Sequence, residues 1–177
     1  MNIFYLDKDY RTNAGYHVDK HVVKMPVEYC QMLSTAHRVL DGKQVIIKSD
    51  TGRKKTEWYL DDITLNTELY KATHMNHPCA VWVRQSSENY KYLFALLCSL
   101  LSEYTFRYNK NHACERKLIY LAKPPENIPC NLEFIEPPKC MPEDCHVDSV
   151  VESYRNFYKR YKSHILNWKH GDIPEWV

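Results

Sequence analysis

The sequence predicts a mainly α fold: one compact multi-helix domain with a short β-prone hairpin or loop and a proline-rich loop that wraps the surface. Three observations predict it. Apolar residues recur every three or four positions over two long stretches, the period of a helix with one buried face. Six of the nine prolines crowd between Lys123 and Cys145, where they deny the backbone the N–H groups that regular ladders need. The chain has 177 residues, a length that suits one domain able to bury a sizeable core.

Taken in order, the opening residues to Leu6 read as a short extended piece that Asp7-Lys8-Asp9 breaks. From about Thr12 to Leu40 apolar residues at Val18, Val22, Met25, Tyr29, Met32, Ala36 and Leu40 predict a long helix, with a kink in the turn before Pro26 and a stop at Asp41-Gly42. Lys43 to Trp58 joins Val45-Ile46-Ile47 to the basic turn Thr51-Gly52-Arg53-Lys54-Lys55, a hairpin or loop. A shorter helix is expected from Asp62 to about His74. Pro78 then stands at the first position of another, capped by Asn76 or His77 and running to about Asn109. Its inner face is Val83, Tyr90, Leu93, Phe94, Leu97, Leu100, Leu101, Tyr104 and Tyr108. A short helix near Cys114 to Ala122 precedes the proline loop. Asp148 opens a last helix to about His170, and Gly171 stops it before a tucked tail from Pro174 to Val177.

Composition excludes several functions. Charged residues are 26% and apolar residues 44%, ordinary for a globular chain. A net charge of +2 gives no global signature of a nucleic-acid binder, so any such contact rests on a local patch. No apolar run is long enough to span a membrane, and the start lacks the pattern of a signal peptide, so a soluble, cytoplasmic protein is expected. Seven cysteines, an odd number without C-x-x-C spacing, fit reduced thiols in that compartment.

Placed at 100° per residue, His17, Lys20, His21, Lys24, Glu28, Gln31, Thr35 and Arg38 fall in a band roughly 100° wide on the first long helix. A band so narrow on a helix otherwise apolar faces a rim or a cleft. The same types at these spacings also make ordinary surface pairs, such as Lys24 with Glu28. A second cluster favours the cleft: Thr73, His74, Asn76 and His77 gather at a helix start with Arg84 further in, where amides, imidazoles and a guanidinium suit a phosphate. Ser86 and Asn89 add polar groups on or beside the apolar face of that helix. Two metal sets come to mind, His17 and His21 with His74 and His77, and Cys130, Cys140 and Cys145 with His146. Lys20 and Lys24 oppose a cation at the first, and the second matches no standard knuckle, so neither a metal nor another cofactor is expected. The last helix, Tyr154 to Lys162, mixes rings and cations as nucleic-acid surfaces do, although its rings at Tyr154, Phe157, Tyr158 and Tyr161 first of all suit a core.

The segment Tyr16-His17-Val18-Asp19-Lys20-His21-Val22-Val23-Lys24-Met25, with Thr73-His74-Met75-Asn76-His77-Pro78 and with Trp82, Arg84, Ser86, Asn89 and Tyr90, resembles a family of small proteins of bacteriophages and large DNA viruses that has no assigned activity. The layout is also similar to pyrimidine-dimer DNA glycosylases of the phage endonuclease V type, which are small and all-α. In those enzymes a His lies early on the first long helix, a catalytic Glu follows seven residues later beside a Leu-Pro pair, and bacterial relatives carry Asn-His-Pro at a later helix start. His17, Lys24-Met25-Pro26 and Asn76-His77-Pro78 occupy comparable places here. There are two departures. Lys24 stands at the carboxylate position, with Glu28 one turn on, and the family attacks with the α-amine freed when Met1 is removed, whereas Asn2 is large for that removal. The resemblance therefore implies a shared scaffold with altered chemistry.

The leading expectation is a viral protein acting on a DNA base or nucleotide. Glu28 would be its acid or base, Lys24 a nucleophile or phosphate contact, and His17 and His21 proton shuttles. Lys20, Gln31, His74, Asn76, His77, Arg84 and Asn89 would bind phosphate or nucleotide. The alternative from another class is a binder that sequesters a host signalling nucleotide without turnover. The expected partner is DNA or a nucleotide, with no membrane.

Overall fold

A computed structural model of the chain describes residues 1–48 and 51–177; positions 49 and 50, at the tip of the expected hairpin, lie outside the described residues. The element order is α1 (Tyr10–Tyr16), α2 (Asp19–Asp41), β1 (Lys43–Lys48), β2 (Lys54–Tyr59), α3 (Ile63–Glu68), α4 (Pro78–Val83), α5 (Ser87–Tyr108), α6 (Leu118–Leu121) and α7 (Val150–Tyr161). The fold is mainly α, as the periodicity predicts. The strands pair antiparallel, Lys43 opposite Tyr59 and Lys48 opposite Lys54. α2 and α5 form the centre of one apolar core, with α1 and α4 packed against them.

Helix boundaries depart from the periodic reading where a tertiary partner intervenes. The first long helix is two, because the chain turns extended at His17 and Val18. Asp9 caps α1 by accepting from the Arg11 and Thr12 amides. At the other end Arg107, reaching over from α5, donates to the carbonyls of Gly15 and His17 at 2.9 Å each. These acceptors satisfy a guanidinium rather than a continuing helix. α2 then runs through Pro26 without interruption. The helix expected over 78–109 is likewise two: Ser86 adopts an extended backbone and its hydroxyl accepts from the Asn89 amide at 3.1 Å, capping α5. α3 ends at Glu68 rather than His74, and α7 ends at Tyr161 rather than His170. After α7 the chain folds back. The Asn167 carbonyl accepts from the Asp19 amide at 2.9 Å, and Trp168 Nε1 donates to the Tyr16 carbonyl at 3.1 Å, so this segment closes the α1–α2 junction.

The opening piece is extended, as read, and it is also core. Ile3, Phe4, Tyr5 and Leu6 are all buried. Phe4 stacks on His21 with ring centroids 4.2 Å apart and meets Tyr158 edge-on at 5.4 Å. Asn13 Oδ1 accepts from the Leu6 amide, and Arg155 Nε donates to the Leu6 carbonyl. Burying each such apolar side chain is worth about 1.5–3 kcal/mol, enough to pin the amino terminus in one place. Tyr154, Phe157 and Tyr158 of α7 complete that packing. The cations of α7 are largely paired, Arg155 with Asp7 and Glu152, and Arg160 with Asp144.

Candidate active site

The polar band of α2 serves three different purposes along its length. At its start His17 and His21 belong to the core. His17 is fully buried, with Nδ1 2.7 Å from the Asn13 carbonyl and Nε2 3.2 Å from the Tyr29 hydroxyl. A carbonyl only accepts, so Nδ1 carries the proton and Nε2 takes the Tyr29 hydroxyl hydrogen. His21 Nδ1 lies 2.6 Å from the Tyr158 hydroxyl. Burial holds His17 down at about 4 and, with the charges of His17, Lys162 and Lys24, holds His21 at about 3, so neither imidazole exchanges protons near neutrality. The expectation of proton shuttles is corrected on that ground.

These rings carry a prediction about acid. His37, also buried, sits at about 4. All three are neutral in the fold and have an ordinary value of 6.5 when exposed. The unfolded chain therefore binds more protons below that pH. Their contribution to stability is complete above 6.5 and is lost as pH falls toward 4, by up to about 1.4 kcal/mol per pH unit per imidazole. Urea melts taken across that window are expected to show it, and a flat profile would mean that the imidazoles are charged in the core.

At its far end the band is a docking rail. Thr35 Oγ1 donates to the Thr73 carbonyl at 3.3 Å and accepts from the Thr73 amide at 3.2 Å, and Ser34 Oγ accepts from the Tyr70 amide. Arg38, 4% exposed, donates to the carbonyls of Trp58, Asn66, Leu69 and Tyr70 and to Asn66 Oδ1. The chain after α3 therefore lies along α2 as a strap. It carries His74 to His77 toward the middle of the helix.

The middle of the band is Lys24, Glu28 and Gln31. Glu28 divides its carboxylate between two cations: Oε1 is 3.0 Å from Lys24 Nζ, and Oε2 is 3.5 Å from the α-amino nitrogen of Met1. The two differ sharply in setting. Lys24 is 69% exposed, while Met1 is 3% and Glu28 13% exposed at the side chain. An amine on a terminus pinned by the core, beside a half-sheltered carboxylate, is pre-placed for reaction. His77 caps α4 with Nδ1 accepting from the Cys79 amide at 3.2 Å, so its Nε2 holds the proton of the neutral ring. Burial, then the positive Met1 amine and His74, hold His77 below the usual imidazole range, and Glu28 opposes them. His77 thus feels the charges of the amine, Glu28 and His74. His74 is exposed, its Nδ1 2.8 Å from Thr73 Oγ1, with a left-handed φ of 47°. Such a backbone costs on the order of 1 kcal/mol in a residue other than Gly and gathers at functional sites.

Other sequence-expected residues fall elsewhere. Lys20 and Asn76 are exposed and Gln31 half-buried. Arg84 sits at the far end of α4, donating to the Ala80 carbonyl at 3.1 Å, seven residues or about 10 Å along the axis from His77. α4 is also a poor phosphate cradle, since Pro78 has no N–H and the Cys79 N–H is already taken by His77. Asn89 is buried, its amide donating to the Trp82 carbonyl and accepting from the Ile135 amide. It ties the proline loop to α5. The sequence reading names the family's α-amine but sets it aside because of the bulk of Asn2, and so does not place the Met1 amine in the site. The apolar run Ile3 to Leu6 was the signal, because a buried first strand fixes what precedes it.

No curated protein and no solved structure matches the chain. The family described as pyrimidine dimer DNA glycosylase matches residues 1–116 of the 177, a span that holds Met1, Lys24, Glu28, His74 and His77. On that match, the chain belongs to the pyrimidine dimer DNA glycosylase family.

Proposed function

We propose that the protein is a DNA glycosylase acting on pyrimidine dimers, with the α-amine of Met1 as nucleophile and Glu28 as its acid–base partner. One observation carries this reading, the 3.5 Å approach of the Met1 amine to Glu28 Oε2. In the neutral form the amine attacks the sugar carbon that bears the damaged base. The base–sugar bond breaks with its electron pair leaving on the base while the Glu28 carboxylate faces the cationic sugar, and Glu28 then accepts the ammonium proton. Transfer of the remaining nitrogen proton to the ring oxygen as the sugar carbon–ring oxygen bond breaks gives an imine joining protein and DNA and a free sugar hydroxyl. The resemblance implies a carboxylate at position 24; here Glu28 supplies it one turn on.

Lys20, Lys24, His74 and Asn76 are exposed and would take phosphates. On the same reading the protein is the product of a phage or large DNA virus and works in the host cytoplasm. Among the described residues no helix is long and apolar enough to cross a membrane.

The test is covalent trapping. The protein is incubated with a duplex holding one cyclobutane pyrimidine dimer in the presence of borohydride. The expected result is a reduced adduct whose peptide maps to the Met1 amine, and an acetylated or extended amino terminus gives none. Duplex returned intact and unlinked would overturn the reading and favour a binder without turnover, and an adduct on Lys24 would replace the nucleophile.

A further inference from the structure

Three ligand-type atoms converge just behind the terminal amine. A ring nitrogen of His77, Cys79 Sγ and Cys140 Sγ all lie within 4.8 Å of one another. The two sulfurs are 3.6 Å apart, with Cys79 donating to Cys140. Ligand atoms on a tetrahedral zinc, at about 2.0–2.3 Å from the ion, stand about 3.3–3.8 Å from each other. That spacing is already present between the sulfurs. A disulfide needs them at about 2.05 Å and so demands movement that a bridging ion does not.

We propose that His77, Cys79 and Cys140 hold one borderline-soft divalent cation of the zinc class, with its fourth position open to water or to a neighbouring donor. Two thiolates and an imidazole are the donor set that favours zinc over magnesium or calcium. Each thiol releases its proton to solvent as the ion binds. The two sets weighed and set aside from the sequence do not form in the fold: His17 and His21 are core, Cys130 Sγ donates to the Ile128 carbonyl, His146 contacts the Met141 carbonyl, and Cys145 points to Asp144. Only His77 from one set and Cys140 from the other remain, joined by Cys79.

The placement suggests what the ion does. His77 and Cys79 flank the start of α4, whereas Cys140 belongs to the proline loop beyond the family-matched span. That loop has few ladder bonds of its own, so a metal bridge would fasten it to the site. Asn2 ties the two sides as well, donating from Nδ2 to the Cys140 carbonyl at 2.9 Å while its Oδ1 lies 4.0 Å from Cys79 Sγ. An occupied site thus holds the residue next to the terminal amine.

The experiment uses the full chain, chelator-treated and reduced, without DNA, so that its outcome is separate from the glycosylase reading. Cobalt(II) is titrated as a probe. One equivalent is expected to give tetrahedral d–d bands with thiolate charge transfer, displaced by zinc, and zinc is expected to protect the loop around Cys140 from proteolysis. Cys140→Ser changes a half-buried position, should fold with the same helical circular dichroism, and is expected to weaken cobalt binding at least about 100-fold. His77→Ala checks the imidazole in the same way. Absence of thiolate bands, bands that persist unchanged in Cys140→Ser, or a purified chain lighter by two hydrogens with Cys79 joined to Cys140 would each overturn the proposal.

Discussion

Glu28→Gln is expected to slow base release about 10³-fold while leaving the fold and the affinity for damaged DNA nearly intact. Gln keeps the size and one accepting oxygen, so the contact with Lys24 Nζ survives as a hydrogen bond. The negative charge does not survive, and with it go the acceptor for the amine's proton and the stabilisation of a cationic sugar. The loss therefore falls on kcat rather than on KM. Stability changes little, because the Lys24 side of the pair is open to solvent and such pairs contribute about 0–1 kcal/mol. Single-turnover kinetics on a dimer-containing duplex measures the effect. Lys24→Ala is the contrast: a lost phosphate contact weakens binding and lowers the salt slope by about one, with turnover at saturating DNA retained. Wild-type rates in Glu28→Gln would remove the carboxylate from the mechanism.

Arg38→Met carries the largest expected effect on stability, a loss of about 3–5 kcal/mol. Arg38 is buried and its guanidinium serves four carbonyls and the Asn66 side chain. Met fills the space but donates nothing, leaving those acceptors without partners. Lys does not rescue it, since three donors on one nitrogen cannot serve acceptors spread over Trp58 to Tyr70. The melting temperature is expected to fall by roughly 10 °C in calorimetry for a chain of this size. The strap that carries His74 and His77 loosens as well, so activity in the surviving folded fraction drops. A variant within about 1 kcal/mol of wild type would show that α3 and the strap hold their course without the guanidinium.

Much of this was legible in the residues. The helical period named the buried faces of α2 and α5, because that period is a local property of the chain and needs no partner to be read. Glu28 and Lys24 were legible as neighbours for the same reason, being four apart on one helix. The strap was not. Thr35 and Arg38 look like more of the same polar band, and nothing local says that they face backbone carbonyls instead of a ligand. His17 and His21 mislead in the opposite sense. Their spacing suits a site, yet the partners that settle their role, Tyr29 and Tyr158, lie 12 and 137 residues away.

The sequence by itself determined a mainly helical domain, the order of its elements and a cationic stripe with one carboxylate at its middle, since each follows from short-range spacing and propensity. Tertiary structure decided where the long helices break, which histidines are core, and which groups meet Glu28. Bringing Met1, His77, Cys79 and Cys140 together takes the burial of the first strand, the rail along α2 and the return of the proline loop, and those are packing outcomes of segments far apart in the chain.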